Sequence, residues 1–284
     1  MIYSPLRYPG GKSKLSKFVA EICKQNSIDG CYVEPYAGGA SVALYLLVER
    51  YVSEIIINDI DRSIYAFWHS VLNNNKEFCE LIRITSVNID EWKRCKAVQK
   101  NKKKASLLEL GFSTFFLNRT NISGILDAGI IGGYNQKGKY KMDCRFNKEG
   151  LINRIKTIGK YRKNIKLYNL DALDLVDTVQ KKATKSTIFY FDPPYYLKGP
   201  SLYLNYYDKS DHEMVAERIK QIKNMHWIVS YDNVGEIKEM YANMRKTEYS
   251  LSYTARNRKD GKEVLFFSPE LIIPRPIHIS LGKA

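Results

Sequence analysis

The tetrapeptide Asp192-Pro193-Pro194-Tyr195 constrains this chain most, because it directly follows the apolar run 187–191. A short apolar run that ends at prolines predicts a buried strand with a carboxylate at its end. The ring of Pro193 fixes the backbone and removes an N–H, so a carboxylate and a carbonyl are left as neighbouring acceptors. A proline-stiffened turn without chemistry is the alternative, and the tetrapeptide alone does not decide between them.

Such a pair of acceptors suits the amino group of a nucleobase. The amino group of adenine or cytosine is a poor nucleophile because its lone pair is delocalised into the ring. Acceptors for its two hydrogens, here Asp192 and a carbonyl held by Pro193, would favour a more tetrahedral nitrogen. The ring of Tyr195 offers a surface for an unstacked base. The stretch is therefore a candidate site for methylating a base amino group.

Length and composition limit the class of protein. With 284 residues and 44% hydrophobic content, the chain can form one large domain or a domain that carries an insertion. No apolar run approaches the length of a membrane span, and the N-terminus lacks the features of a signal peptide. The scattered cysteines, odd in number and without a C-x-x-C, argue against a disulfide framework or structural zinc and favour the cytoplasm.

The charge of the chain favours a polyanionic partner. A formal net charge of +15 accompanies 21 tyrosines, which suggests a nucleic acid whose bases could also be stacked upon. A codon bias that enriches Lys, Asn and Ile would produce a similar composition without a basic patch. Nucleic acid is therefore the first candidate partner, although charge alone does not establish it.

The segment Gly10-Gly11-Lys12-Ser13 precedes a helical pattern. It is not a phosphate-binding P-loop, because Leu6 stands where that motif needs glycine and no strand comes before it. A flexible backbone and a cation at a helix start still suit an anionic or carboxylate-bearing ligand. A plain capping loop explains the segment about as well.

The next stretch predicts a strand, a turn and a helix. The turn Glu34-Pro35-Tyr36-Ala37-Gly38-Gly39 leads into a helix that opens at Ser41, which is the first unit of a dinucleotide-type half-sheet. A second predicted strand, 54–58, ends at Asp59, twenty positions after Gly39. An acid at this position reaches ribose hydroxyls in such folds, and we prefer this interpretation to a simple helix cap.

From about residue 63 to 147 the pattern changes to helices and then to a glycine-rich stretch with a predicted hairpin. The lysine run 100–104 between the helices is typical of a solvated loop. Polar and cationic side chains of the glycine-rich stretch suit phosphate and base-edge contacts. The candidates are Arg119, Asn121, Tyr134 and Arg145.

Later strands are predicted at 165–170, 187–191 and 226–230. The first of them ends in Asp171-Ala172, and parallel sheets bring such strand-end carboxylates to one edge. A final hairpin, 249–267, carries a basic tip from Arg256 to Lys262. Arg256 and Arg258 could contact a phosphate backbone, although a solvated turn is equally consistent with the sequence.

Taken together, several motifs resemble the Dam-type (D12 class) adenine-specific DNA methyltransferases, in the same order and over nearly the whole chain. They are Arg7-Tyr8-Pro9-Gly10-Gly11-Lys12, 33–39, Asn58-Asp59, Asn118-Arg119, Asp171 and 192–195. The resemblance implies an α/β fold, with the Rossmann-like sheet of S-adenosylmethionine-dependent methyltransferases and an inserted, mostly helical target-recognition domain. The catalytic domain would comprise 1–62 and 148–284, and the recognition domain with its β-hairpin 63–147.

The resemblance also implies roles for single residues. In the family, the opening motif and the turn after the first strand hold the methionine part of S-adenosylmethionine. These residues are Tyr8, Pro9, Lys12, Glu34, Pro35, Tyr36, Ala37, Gly38 and Gly39. Asp59 would hold the ribose, Asp171 would accept from the adenine amino group of the cofactor, and Ala172 would lie beside that ring. Asp192 would face both the methyl group and the target base.

The mechanism implied by the family flips the target adenine out of the duplex, stacks it on Tyr195 and transfers the methyl group in line to N6, without a metal. The four histidines are isolated in the sequence, which gives no ligand cluster. Arg7 is expected near a base. The extra stretch 127–132 departs from family members that read GATC and argues against that target.

Other functions remain open on the residues alone. Methylation of RNA adenine or of a glutamine side chain uses related sites, although protein-directed enzymes usually have Asn in place of Asp192. A nucleic-acid-binding module without catalysis is a third alternative, against which Asp59 and Asp192 argue. We expect a monomer that acts on double-stranded DNA and does not bind membranes. It would serve with a cognate restriction endonuclease encoded nearby, or as an orphan or phage methylase.

Overall fold

The computed structural model describes residues 3–7, 11–181, 184–197, 207–252 and 260–274. In this part of the chain, seven strands form one sheet in the order β3-β2-β1-β4-β5-β7-β6. The strands are β1 (Cys31–Glu34), β2 (Glu54–Asn58), β3 (Ile165–Tyr168), β4 (Thr187–Phe191), β5 (His226–Asp232), β6 (Arg245–Ser252) and β7 (Asp260–Phe267). The first five run parallel, and β7 pairs antiparallel with both β5 and β6.

Helices cover both faces of this sheet. They are α1 (Ser16–Gln25), α2 (Ser41–Val48), α3 (Arg62–Asn73), α4 (Asn75–Ile84), α5 (Ile89–Lys100), α6 (Leu107–Thr120), α7 (Lys148–Lys160), α8 (Ala172–Gln180), α9 (Lys209–Lys220) and α10 (Gly235–Met240). Residues of α1 to α7 share one hydrophobic core with the sheet, and residues of α8 to α10 share the other. The α/β fold with a Rossmann-like sheet, which the family resemblance implied, is confirmed.

The central strand β4 shows why the sheet needs two layers of helices. All of its residues are buried, which is typical of a parallel strand covered on both faces. Side chains alternate along a strand, so Ile188 and Tyr190 face the core of α1 to α7, whereas Phe189 and Phe191 face that of α8 to α10. The apolar run before Asp192 is therefore the middle of the sheet.

The strand order reverses between β1 and β4. From β1 the chain continues to β2 and β3 on one side of the sheet, and β4 and β5 lie on the other. Ligands of open α/β sheets bind at such a switch point, outside the carboxyl ends of the strands. Both Glu34 at the end of β1 and Asp192 after β4 lie at this position.

The β-hairpin predicted within 63–147 is not formed as two strands. In residues 118–147, all of which are described, the structure has turns, short 3₁₀ helices and one antiparallel bridge between Asn121 and Ile130. Gly132 and Gly133 adopt positive φ, and the side chain of Gln136 hydrogen-bonds to backbone atoms, so a compact turn replaces the strand ladder. The division of the chain into two domains stays a prediction.

The hairpin near the C-terminus is confirmed, with an earlier start and the predicted end at residue 267. It begins at Arg245 rather than 249, and Lys262 lies within β7 instead of at the tip. The tip itself, with Arg256 and Arg258, lies outside the described residues. Within the described ranges, the helices are too short or too polar to span a bilayer.

Candidate active site

A cavity of about 120 Å³ opens at the carboxyl ends of β1, β2 and β4. The charged side chains that line it are Lys12, Glu34, Asp59, Asp61 and Asp192. Four acids against one lysine make the cavity acidic, which favours a ligand that carries positive charge. Aromatic side chains close other parts of the wall, among them Tyr36 and Tyr207, whose hydroxyl oxygens are 3.0 Å apart.

The turn after β1 is attached to the end of β2 by backbone and amide hydrogen bonds. The Ala37 N–H donates to the Asn58 carbonyl at 2.8 Å, and Asn58 Nδ2 donates to the Pro35 carbonyl at 2.9 Å. Gly38 has a φ of +43°, in the left-handed region that favours glycine, and its N–H donates to Asp59 Oδ2 at 2.9 Å. The two predicted cofactor motifs are thus one connected structure.

Glu34 anchors the helix that follows this turn. Helix α2 has Ala40 at its N-cap and no side-chain cap there. Glu34 Oε1 instead accepts from the Ala43 N–H at 3.1 Å and from the Tyr32 hydroxyl at 3.0 Å. Burial raises the pKa of the Glu34 carboxyl to about 8, so it takes up a proton far more readily than an exposed glutamate.

Asp59 is held in a similar way. Its Oδ2 accepts from Gly38 and its Oδ1 accepts from the Asp61 N–H at 3.0 Å. Burial, reinforced by the nearby Asp61 carboxylate, raises the pKa of Asp59 to about 7. A cation bound in the cavity would favour the ionised forms of both Asp59 and Glu34.

Asp171 lies at the N-cap of α8, where its side chain accepts from the Leu173 N–H at 2.8 Å. It does not line the cavity, but its charge contributes to the raised pKa of Tyr36 and Tyr207, which do. Burial is the main cause of both shifts. Asp171 and the buried Ala172 therefore lie close to the tyrosine side of the cavity.

The predicted cofactor residues divide into three groups. Those that line the cavity are Lys12, Glu34, Tyr36, Ala37, Gly39, Asp59 and Asp192. Those that support it from behind or lie beside it are Pro35, Gly38, Asp171 and Ala172. Tyr8 and Pro9 lie outside the described residues.

Asp192 is fixed through one of its two oxygens. Oδ1 accepts from Ser230 Oγ at 2.7 Å and from Lys12 Nζ at 3.0 Å. In the described part of the chain Oδ2 receives no hydrogen bond, and the side chain is 25% exposed in the cavity wall. Burial raises the pKa of Asp192 even though Lys12 acts in the opposite direction. Oδ2 is thus available to a ligand.

The loop after β4 departs from the sequence expectation at Tyr195. Its side chain is only 4% exposed. The hydroxyl donates to Glu263 Oε1 at 2.6 Å and accepts from Lys12 Nζ at 3.1 Å. The expected open stacking surface is therefore not presented, because these polar contacts draw the ring inward. Pro193 is buried, and Pro194 lines the cavity.

Three polar residues of this site were not predicted from the sequence. Ser230 and Glu263 contact Asp192 or its neighbours, and the Asp232 carboxylate accepts from the backbone N–H groups of Tyr196 and Leu197. One signal was present in the sequence. Glu263 directly precedes the apolar run 264–267 and shares the strand face of the buried Leu265 and Phe267, which marks a buried polar contact.

The predicted DNA-contacting residues have different surroundings. The backbone of Arg7 exchanges two hydrogen bonds with Asn118, at 2.7 and 2.6 Å, and Arg119 Nε donates to the Arg145 carbonyl at 2.7 Å. Burial, followed by the charges of Arg7, Arg154 and Arg145, lowers the pKa of Arg119 to about 10. The arginines predicted from separate motifs therefore lie close together and form a positive cluster.

Asn121 and Tyr134 lie beside this arginine cluster in sequence but differ from each other in exposure. Asn121 is fully buried, and its amide accepts from Trp92 Nε1 at 2.7 Å, so it supports the loop and is not the exposed DNA contact that we expected. Tyr134 is 63% exposed and packs edge-on against Trp92. Of the two, Tyr134 alone has a surface accessible to DNA.

The fold and the acidic cavity at its switch point define the class: the chain has the sheet of a Rossmann-like methyltransferase. The sequence identifies the family. Residues 8–257 match the D12 class N6 adenine-specific DNA methyltransferases, and the chain belongs to that family. It is an adenine-specific DNA methyltransferase that uses S-adenosylmethionine as methyl donor.

Type II methyltransferase M.MjaIII of Methanocaldococcus jannaschii is 27% identical over 227 residues, which cover 74% of this chain and 76% of that protein. A SAM-dependent methyltransferase structure from Agrobacterium tumefaciens has a TM-score of 0.43 at 6% identity, covering 90% of this chain and 61% of that one. An rRNA methyltransferase from Streptomyces viridochromogenes has a TM-score of 0.35 at 10% identity, covering 88% and 82%. The family assignment rests on the sequence match.

Proposed function

We propose that Asp192 orients the amino group of the target adenine in the acidic cavity at the ends of β1, β2 and β4. The observation that carries this proposal is the asymmetry of the Asp192 carboxylate. Ser230 and Lys12 both bind Oδ1, so the side chain is held in one rotamer while Oδ2 is left for a hydrogen of the substrate. Because the carboxylate is already fixed in place, little free energy is spent on moving it when the amino nitrogen becomes tetrahedral.

The cavity fits S-adenosylmethionine by the charge of its lining. The cofactor supplies a methyl group on positively charged sulfur, which is already an activated electrophile. Glu34 and Asp59, whose pKa values burial raises to about 8 and about 7, would ionise as the cation binds, and the Asp61 carboxylate adds to this negative lining. Asp59 would accept from ribose hydroxyls, and Asp171 would contact the adenine end beyond Tyr36 and Tyr207. Pro35, Ala37, Gly38 and Gly39 keep this turn close to the ligand, and Tyr8 and Pro9 stay predicted contacts.

In the reaction, the adenine nitrogen forms a bond to the methyl carbon, the carbon–sulfur bond breaks with its electrons remaining on sulfur, and the nitrogen loses one hydrogen as a proton. Asp192 Oδ2 would accept one amino hydrogen, and the Pro193 carbonyl would accept the other. The raised pKa of Asp192 favours it as the first acceptor of the released proton. That no metal takes part stays a prediction.

The base must leave the duplex to reach this cavity, so we propose base flipping. The positive cluster of Arg7, Arg119 and Arg145 lies beside Asn118 and suits the DNA backbone, with the exposed Tyr134 nearby in sequence. For stacking on Tyr195, the ring would have to be uncovered. Arg256 and Arg258 stay predicted contacts to DNA.

We also propose a biological setting. The designation of the M. jannaschii relative as a Type II methyltransferase supports a restriction-modification role, with a cognate endonuclease encoded nearby. An orphan or phage methylase is the alternative. We expect a monomer in the cytoplasm that acts on double-stranded DNA, because one chain carries both the acidic cavity and the arginine cluster.

Asp192→Asn and Asp171→Ala separate the two proposed roles. We expect Asp192→Asn to lower the single-turnover transfer of tritiated methyl groups to duplex DNA by at least about 100-fold, because the site loses its anionic acceptor. Asp171→Ala should mainly raise the Kd for the cofactor. Asp177→Asn, an exposed acid on α8, is the matched control. Normal turnover of Asp192→Asn would refute the assignment.

A further inference from the structure

Glu263 brings a second carboxylate to the site from the C-terminal hairpin. It lies on β7 and is 1% exposed. Its Oε1 accepts from the Tyr195 hydroxyl at 2.6 Å, and its Oε2 accepts from the Tyr249 hydroxyl and lies 3.4 Å from Lys12 Nζ. Lys12 in turn contacts Asp192 at 3.0 Å. Buried charged side chains thereby connect the hairpin to Asp192, where we propose that the adenine amino group binds.

The hairpin does not need a glutamate here in order to pack. Leu265 and Phe267, at the next positions on the same face of β7, are fully buried in the apolar core. A charged carboxylate at such a depth loses its hydration, and buried ion pairs are often no more stabilising than apolar side chains of similar size. The cost of burying Glu263 therefore points to a role in the neighbouring site rather than in stability.

The position of Lys12 indicates what that role is. Its ammonium lies between the two carboxylates of Asp192 and Glu263, and it also donates to the Tyr195 hydroxyl. Glu263 shares the positive charge, so that Lys12 does not act on Asp192 alone. If the charge of Glu263 were removed, Lys12 would stabilise the ionised Asp192 more strongly and make it a weaker acceptor.

We propose that Glu263 is a positioning residue for methyl transfer, which acts on Asp192 through Lys12 and on the proline-rich loop through the Tyr195 hydroxyl. This inference rests on the proposed role of Asp192. The groups that face Asp192 are Lys12, Glu34, Tyr190, Ser230, Tyr231 and Glu263. Burial is the largest cause of the raised pKa of Asp192. Lys12 and the hydrogen bond from Ser230 lower this pKa, whereas the charge of Glu263 raises it further.

The test compares Glu263→Gln with Glu248→Gln in the 284-residue chain. Gln is nearly isosteric with Glu, and its single oxygen can still accept from the Tyr195 hydroxyl. Its NH2 group takes the place of Oε2 next to Tyr249 and Lys12, so the substitution removes the charge and one acceptor. Glu248 is the matched control, because it lies on the same hairpin but is half-exposed and pairs with Lys238. Single-turnover methyl transfer to duplex DNA is measured between pH 5 and 9, together with the Kd for S-adenosylmethionine.

For Glu263→Gln we expect transfer to slow on the order of tenfold, with the cofactor Kd within about threefold of wild type. The acid limb of the rate profile should move to lower pH, because Asp192 loses a neighbouring negative charge and ionises more easily. Glu248→Gln should match wild type in both respects. A role in stability alone would leave the acid limb where it is, and equal profiles for the two variants would overturn the proposal.

A second variant keeps the test decisive if Glu263→Gln does not fold. Tyr195→Phe retains the ring but removes the hydroxyl that Glu263 and Lys12 hold. It should slow transfer without changing the cofactor Kd, and a wild-type rate would overturn the connection through Tyr195. Asp192→Asn separates a failure of the role proposed for Asp192 from a failure of the role proposed for Glu263. If it is active, the proposed function fails; if it is inactive while Glu263→Gln matches Glu248→Gln, only this inference fails.

Discussion

Replacing Glu34 by Gln should remove a large pH dependence from the stability of the protein. Both hydrogen bonds to Glu34, from Ala43 and Tyr32, go to Oε1, so a Gln oxygen in the same place retains them. The pKa of Glu34 rises from 4.5 to about 8 because of burial. The folded state therefore binds a proton that the unfolded state has released, and stability falls as pH rises from about 4.5 to about 8.

The size of the effect follows from the shift. One pKa unit corresponds to about 1.4 kcal/mol, so wild type loses up to about 3 kcal/mol at pH 7 and about 5 kcal/mol above pH 8 through this group. Glu34→Gln lacks this loss. The difference in unfolding free energy between variant and wild type should thus rise by about 1.4 kcal/mol per pH unit between pH 5 and 8 and then level off.

The assay is urea unfolding of both proteins at half-unit steps from pH 5 to 9, without cofactor. Taking the difference between proteins cancels the titration of Asp59 and Asp192, which are present in both. Glu270→Gln makes the same substitution at an exposed position and is the control. A flat difference for Glu34→Gln would refute the reasoning, because Glu34 would then titrate as an exposed side chain.

Two further predictions concern the cavity. Binding of S-adenosylmethionine should release protons between pH 6 and 8, because its positive charge favours the ionised forms of Glu34 and Asp59. S-adenosylhomocysteine, whose sulfur is uncharged, should release fewer protons. Calorimetry in buffers of different ionisation enthalpy measures the release, and a binding heat that is the same in all buffers would contradict the prediction. Asn58→Ala should lower the free energy of unfolding, measured in urea, by about 3 kcal/mol, because Asn58 is buried and its side-chain amide hydrogen-bonds to the backbone of Pro35 and Leu170. Asn169→Ala, at an exposed position with two similar hydrogen bonds, should cost less than about 1 kcal/mol, and equal costs would refute the bridging role of Asn58.

The sheet could be predicted well because its central strands are short apolar runs with polar ends. The bounds expected for β2 and β4 agree with the structure, and Glu34, Asp59 and Asp192 meet at one edge as parallel topology requires. Strand β5 continues two residues beyond its expected end, to Asp232. Periodicity thus located the elements and the strand-end acids.

The features that the sequence did not predict depend on contacts between distant parts of the chain. Tyr195 turns inward because Glu263, 68 residues later, accepts a hydrogen bond from its hydroxyl, and no local sequence pattern predicts that pairing. Asn121 is a residue type that often contacts DNA, but here its amide is buried and hydrogen-bonds to Trp92 and to two loop carbonyls. The predicted recognition hairpin failed because the side chain of Gln136 competes for the backbone groups of a ladder.

Mass spectrometry of nucleosides tests the central claim most directly. The purified chain is incubated with S-adenosylmethionine and either duplex DNA or RNA, and the digested products are compared for wild type and Asp192→Asn. We predict N6-methyladenine from duplex DNA with wild type alone. Methylation confined to RNA, or undiminished N6-methyladenine with Asp192→Asn, would contradict the account.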